Sequence, residues 1–217
     1  MGIINLLSGT KVLENTTSQY NGEIQVIWDL TWGTYIQVGG LTQSGGILFE
    51  VWQSTLRELQ KTKTEARKIL ILGLGGGSVA KLVSKKWPQA EITGVDIDEE
   101  MINLGKKYLG LDASKIKIVI QDAYEFKEKD KFDLILVDLY CGDKFPEKFE
   151  DEKFLIGLKK MLKKGPPGGE ASIAVFNRLY GGNNRPDSMR FGKRLEKVFK
   201  KVDYMYPQAN VEMICYN

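Results

Sequence analysis

The chain has 217 residues, with 31 basic against 28 acidic side chains and a formal net charge of +3. That length suits one domain, or one domain with a small appendage, and the charge is too balanced to point to nucleic acid. Histidine is absent and there are only two cysteines, Cys141 and Cys215, far apart in sequence. This excludes Ser–His and Cys–His catalytic pairs, His-ligated metal, zinc-ligand spacing and a disulfide framework. Any general base must be Asp, Glu, Tyr, Lys or water. No metal is expected, and the compartment expected is the reducing cytoplasm.

In chain order, the opening residues 1–11 (MGIINLLSGTK) lack a basic leader and an apolar run able to span a bilayer, so no membrane partner is expected. Residues 23–30 (EIQVIWDL) and 34–40 (TYIQVGG) alternate apolar and polar and read as two strands joined through Thr31–Gly33. They predict a β-hairpin region, a hairpin or small antiparallel sheet, too small to be stable unless it packs on the rest of the chain. Over 46–61, Ile47, Leu48, Val51, Trp52, Leu56 and Leu59 recur at helical spacing, and Trp52 is read as a core residue. Residues 62–68 form a polar joint. The expected division is therefore 1–61, hairpin region plus linking helix, and 62–217, a ligand-binding domain.

From Lys68 onward, strands alternate with helices. Residues 68–74 (KILILGL) form a continuous apolar run, as in a strand buried on both faces. A helix over 78–87 stops before Pro88. A strand over 90–97 leads to a helix over 98–111, acidic at its start with lysines later, which suits the helix dipole. Strands over 115–122 and 131–140 precede a helix over 150–165, closed by the breaker GPPGG (165–169). A strand over 170–177, a helix over 188–200 and two short strands, 202–208 and 211–217, end the chain. The Gly/Asn-rich stretch 179–188 reads as a connector, with a mobile cover as the alternative.

This alternation predicts an α/β fold, an open parallel sheet with helices on both faces. In such sheets ligands sit beyond the carboxyl ends of the strands. Gly73–Gly77, Asp96, Asp122, Asp138 and Asn177 all fall at those ends. Gly73 suits a sharp strand-to-helix turn, and Gly75 and Gly77 let backbone approach a ligand. The helix opening at Ser78 offers free amides, but the Gly-Lys-Ser/Thr ending of a phosphate-binding NTPase loop is missing. A carboxylate at Asp96 can accept from both ribose hydroxyls. These two features leave a nicotinamide dinucleotide and a sulfonium nucleoside equally open. Asp122, placed to accept from an adenine amino group, and Asp138, placed near the reactive end, turn the pattern toward an S-adenosylmethionine-type site.

The stretches ILILGLGGGSVAKL, ITGVDIDEEMINLGKKYLGL, KIKIVIQDAYEF and FDLILVDLY resemble the spermidine synthase family. YIQVGGLTQS (35–44) upstream, and the helix and strand from Phe149 to Asn177 downstream, extend the likeness. The resemblance implies a Rossmann-like, seven-stranded doubly wound sheet of the class I methyltransferase type, preceded by a small β-hairpin region. It implies transfer of an aminopropyl group from decarboxylated S-adenosylmethionine to a small-molecule amine in polyamine biosynthesis. Gln43 and Ile97 would contact the nucleoside, Asp96 the ribose, and Asp122 with Ala123 the adenine.

The chain departs from the family's pattern at three places. Gly76 stands where the glycine loop carries Asp. Asp138-Leu139-Tyr140-Cys141 replaces Asp-Ser-Ser-Asp, putting a cysteine at the position of the second acid. The Tyr-His-Glu signature is absent, with LFEVWQ (48–53) nearby. Asp138, Asp143, Tyr140 and Glu50 are what remain for amine chemistry. Methyl transfer from intact S-adenosylmethionine, and a non-catalytic nucleoside-binding or homodimer-forming relative, stay open as alternatives.

Overall fold

The structure, a computed structural model, describes residues 9–61, 65–111, 116–164 and 172–217. The opening residues 1–8, the joint at 62–64, residues 112–115 and the breaker at 165–171 lie outside them.

Of the two forms expected, the N-terminal region takes the small antiparallel sheet, with four strands: β1 (Thr10–Ser18), β2 (Gly22–Asp29), β3 (Gly33–Val38) and β4 (Leu41–Gly45), in the order β1-β2-β3-β4. Its buried face presents Ile24, Val26, Ile36 and Val38. Gly45 and Gly46 then carry the chain, at positive φ, into α1 (Gly46–Lys61).

The second sheet has seven strands: β5 (Lys68–Leu72), β6 (Glu91–Asp96), β7 (Ile116–Ile120), β8 (Leu134–Val137), β9 (Ile173–Leu179), β10 (Lys201–Met205) and β11 (Asn210–Tyr216). They lie in the order β10-β11-β9-β8-β5-β6-β7. β5 to β9 are parallel, while β11 runs antiparallel to β9 and β10 antiparallel to β11. The chain reverses direction in strand order beside β5, which is where such sheets open a crevice.

Alternate residues of the apolar strands feed two layers of core, as a doubly covered sheet requires. Leu70 and Leu72 of β5, with Ile135 and Val137 of β8, pack under α4 (Glu152–Met161) and α5 (Asn184–Val198). Ile69 and Ile71, with Leu134 and Leu136, pack on the other face under α1 and α2 (Ser78–Lys86). Trp52, Leu56 and Leu59 put α1 in that second layer, so the linking helix covers the large sheet. Each such fully buried aliphatic side chain contributes about 1.5–3 kcal/mol.

The helix expected over 98–111 is split. α3 (Glu99–Leu104) is capped by the Asp98 carboxylate, which accepts from the Glu100 amide at 3.1 Å, and the chain then widens into a π-helix over Gly105–Leu109. A Cβ on Gly105 would lie 2.6 Å from the Gly76 Cα, so the widened turn rests backbone to backbone on the glycine loop. Met101 and Leu104 of α3 close the small sheet's core from below. The 179–188 segment is divided between the end of β9, a short turn and the first turn of α5. The Ser188 hydroxyl donates to the Leu179 carbonyl at 2.6 Å, and the Tyr180 amide to the Ala209 carbonyl at 2.8 Å. Pro186 near the start of α5 suits the unbonded amides of a first turn.

Candidate active site

A cavity of about 520 Å³ opens above the carboxyl ends of the parallel strands, roofed by the small sheet and by α1. Its walls include Gln43, Gly73, Gly75, Asp96, Ile97, Asp122, Ala123, Asp138 and Tyr140, so the structure brings nine of the residues singled out in the sequence into one space. That volume falls in the range of small-molecule sites, about 300–1,000 Å³.

At one end sits the glycine loop. Gly73 turns at φ +85°, and a side chain there would collide with the Asp138 carbonyl. No L-residue with a Cβ fits, which explains the glycine where β5 leaves the sheet. The Gly75 amide donates to Asp96 Oδ2 at 2.6 Å and the Asp98 amide to Asp96 Oδ1 at 2.9 Å. Each carboxylate oxygen keeps a second lone pair for a ligand hydroxyl. Burial raises the proton affinity of Asp96, and the two backbone donors oppose it. Asp122 accepts from the Tyr124 amide at 2.9 Å and pairs with the ammonium of Lys148, which also lines the cavity.

The small sheet is stitched onto this loop. Ser44 Oγ accepts from the Gly76 amide at 2.7 Å, and Ser78 Oγ accepts from the Gly45 amide at 2.6 Å. Gln43 Nε2 donates to the Gly142 carbonyl at 2.9 Å, bridging to the turn beyond β8. Asn21, at the β1–β2 turn, donates to Asp98 Oδ2 at 2.7 Å. Its own Oδ1 is buried without a partner among the described residues, and the residue lines the cavity.

At the other end Asp138, just past β8, takes two side-chain donors. Trp52 Nε1 donates to Oδ2 and Asn177 Nδ2 to Oδ1, both at 2.8 Å. Asn210 Nδ2 then donates to Asn177 Oδ1 at 2.7 Å. Burial pushes the Asp138 carboxyl up to about 6, the two donors pull it down, and the Asp96 charge adds to the rise. A carboxylate so placed is a proton acceptor near neutral pH. Tyr140 lines the same end, but its hydroxyl accepts from the Leu179 amide at 2.7 Å and burial raises its proton affinity.

Three residues named from the sequence are placed elsewhere. Gly77 caps α2 at φ +89°, against Leu111, and is not on the cavity wall. Asp143 is exposed in the turn closed by the Cys141–Lys144 backbone pair, and Glu50 is exposed on α1; neither lines the cavity. Gly76 does not leave a gap beside the ligand. A Cβ there would lie 2.7 Å from Ile36 Cδ1 and 2.8 Å from Leu109 Cδ1, so the position points into the packing between loop and small sheet, not at the ligand space. Trp52 is a core residue as read, but its indole N–H also serves Asp138. Sequence reasoning missed Asn21, Lys148 and Asn210. The Asn-Gly pair at 21–22 signals only a turn.

The chain is similar to known proteins. The family model described as the spermine/spermidine synthase domain matches residues 51–167, more than half of the chain. A polyamine aminopropyltransferase from Sulfurisphaera tokodaii is 42% identical over 149 residues, covering 62% of this chain and 46% of that protein. An eEF1A lysine and N-terminal methyltransferase homolog from Drosophila melanogaster is 32% identical over 173 residues, covering 73% of this chain and 24% of that protein. The chain thus spans less than half the length of these curated relatives. The crystal structure of spermidine synthase from Thermotoga maritima superposes with a TM-score of 0.75 at 20% identity, over 95% of this chain and 72% of that one, and shows the shared fold. No helix among the described residues is long and apolar enough to cross a membrane. The family model takes in the glycine loop, Asp96, Asp122 and Asp138 alike, and the chain belongs to the spermine/spermidine synthase domain family.

Proposed function

We propose that the chain transfers an aminopropyl group from decarboxylated S-adenosylmethionine to the nitrogen of a small amine. The observation that carries this reading is Asp138: a cavity-lining carboxylate with a proton affinity near neutrality, fixed by Trp52 and Asn177, at the opposite end of one cavity from Asp96 and Asp122. The family match and the aminopropyltransferase relative support it.

The residues present fit a sulfonium nucleoside. Asp96 and Asp122 are hydrogen-bond acceptors suited to ribose and to an exocyclic amino group, and Asn21 Oδ1 is a further acceptor on the same cavity wall, unpartnered among the described residues. When bound, such a nucleoside supplies an electron-poor carbon and a neutral thioether as leaving group. Asp138 attracts the ammonium form of the acceptor, takes its proton and so exposes the nitrogen lone pair. Asn177 and Trp52 hold that carboxylate in one orientation, and alignment of nitrogen with carbon supplies most of the remaining rate. Leu48, Val51 and Leu179 wall off water on this side.

Methyl transfer from intact S-adenosylmethionine is the second reading, favoured by the likeness to the Drosophila methyltransferase homolog. Calorimetry with the two nucleosides separates them. Tighter binding of the decarboxylated form is expected; tighter binding of the intact form would overturn the aminopropyl reading.

A further inference from the structure

The acceptor end of the cavity carries a single charge among the described residues. Of the charged residues that line the whole cavity, Asp96 and Asp122 stand at the other end, and Lys148 pairs with Asp122. Asp138 is the one left beside the acceptor. Glu50 and Asp143 are not on the cavity wall, and neither is Glu212, which is buried in β11. The neutral polar groups around Asp138 are tied within the protein. Asn177 donates to Asp138, Asn210 donates to Asn177, and the Tyr140 hydroxyl accepts from the Leu179 amide.

The wall next to Asp138 is apolar, and it comes from the same elements that hold the carboxylate. On α1, Leu48 stands one helical turn before Trp52 and Val51 immediately precedes it; both line the cavity, and Trp52 donates to Asp138. On β9, Leu179 follows Asn177 by two residues and so shares its face of the sheet. Leu139 follows Asp138 itself, and Ala209 precedes Asn210. A molecule anchored at Asp138 by one ammonium has the rest of its atoms against these side chains. A hydrocarbon body gains from that burial. A second ammonium loses its water there and meets no further carboxylate among the described residues, which is strongly unfavourable.

We propose that the acceptor this chain prefers is a primary amine with one positive charge and an apolar body, an alkylamine or arylalkylamine, over a diamine. This deepens the reading that an amine docks on Asp138, and rests on it. A diamine remains a weaker acceptor, reacting through one of its nitrogens.

Calorimetry on the full chain near neutral pH, with 5′-methylthioadenosine present, tests this. 1-Aminopentane and 1,4-diaminobutane have the same length and differ only in a methyl or an amine at the far end. The monoamine should bind at least about ten-fold more tightly. From 1-aminopropane to 1-aminopentane, affinity should rise about four-fold per added methylene. Leu48→Asp puts an acid on the wall and should reverse the order between 1-aminopentane and 1,4-diaminobutane. A wild-type preference for the diamine, a flat chain-length series, no binding by any of these amines, or an unchanged order in a folded Leu48→Asp would overturn the proposal. If that variant does not fold, the wild-type pair and the chain-length series decide. The fate of the proposed reaction is read separately, from the products. Amines bound in this order without an aminopropylated product would refute the reaction and support the apolar subsite. A product formed most readily from the diamine would support the reaction and refute the subsite.

Discussion

The two ends of the cavity are built by different means. At the end proposed to hold the nucleoside, carboxylates are oriented by backbone amides: Asp96 by Gly75 and Asp98, Asp122 by Tyr124. At the acceptor end, Asp138 is oriented by side chains from α1 and β9, with β11 behind them. Backbone donors come with the strand-to-helix turn itself and tolerate sequence change around them. Side-chain donors depend on three distant segments meeting, so this end can vary within one fold, as the proposed choice of acceptor requires.

That contrast can be broken most forcefully at Asp138. Asp138→Asn should lower kcat about 100- to 10,000-fold while leaving nucleoside affinity unchanged in calorimetry; a parallel loss of binding would erase the division between the ends. Asp96→Ala should do the reverse. It removes an acceptor for ligand hydroxyls and should weaken nucleoside binding about 100-fold, with the circular dichroism spectrum retained; undiminished affinity would show the ribose lies elsewhere. Gly76→Asp tests whether an acid at the loop position adds to the acceptor end. Because a side chain there meets Ile36, Leu109 and Ser44, the expected outcome is about 1–3 kcal/mol of lost stability in a denaturant titration and no gain in turnover.

The finest test is the pH profile. Asp138 must be ionised to accept a proton, so kcat/KM should fall below pH about 6 and level off above it. Trp52→Phe removes a donor to the anion, so the carboxyl should rise further and the acid limb move to higher pH by about one unit; an unmoved limb would mean that Asp138 does not set it. The same raised carboxyl affects folding. Its neutral form is favoured in the folded state, so its stabilising contribution is full below the ordinary value of 3.8 and is lost as pH rises through about 6.

The doubly wound sheet and the gathering of Asp96, Asp122 and Asp138 at its carboxyl edge were legible because both arise from local pattern. The apolar run at 69–72 specifies a strand covered on both faces, the glycines mark its exit, and Asp96, Asp122 and Asp138 each close or follow a recognisable strand. β1 and β4 were harder. β1 (TKVLENTTS) is polar with no fully buried residue, its register is interrupted between Val12 and Glu14, and β4 is short and ends in glycine. The direction a side chain would take at position 76 depends on the small sheet and the π-helix, which only the folded chain brings together. The acceptor end was legible only in part. Asp138 and Asn177 fall at strand ends, but Trp52 looked like one more apolar position on a helix. The neighbourhood of Asn210 and Glu212 is set by an antiparallel register that no local pattern reports.

Amine-directed aminopropyl transfer with Asp138 as the base is decided by incubating the protein with decarboxylated S-adenosylmethionine and a diamine and identifying the products by mass spectrometry. The predicted result is an N-aminopropylated amine together with 5′-methylthioadenosine, formed by the wild type and not by Asp138→Asn. A methylated acceptor obtained from intact S-adenosylmethionine, with no aminopropyl product from the decarboxylated form, would contradict it.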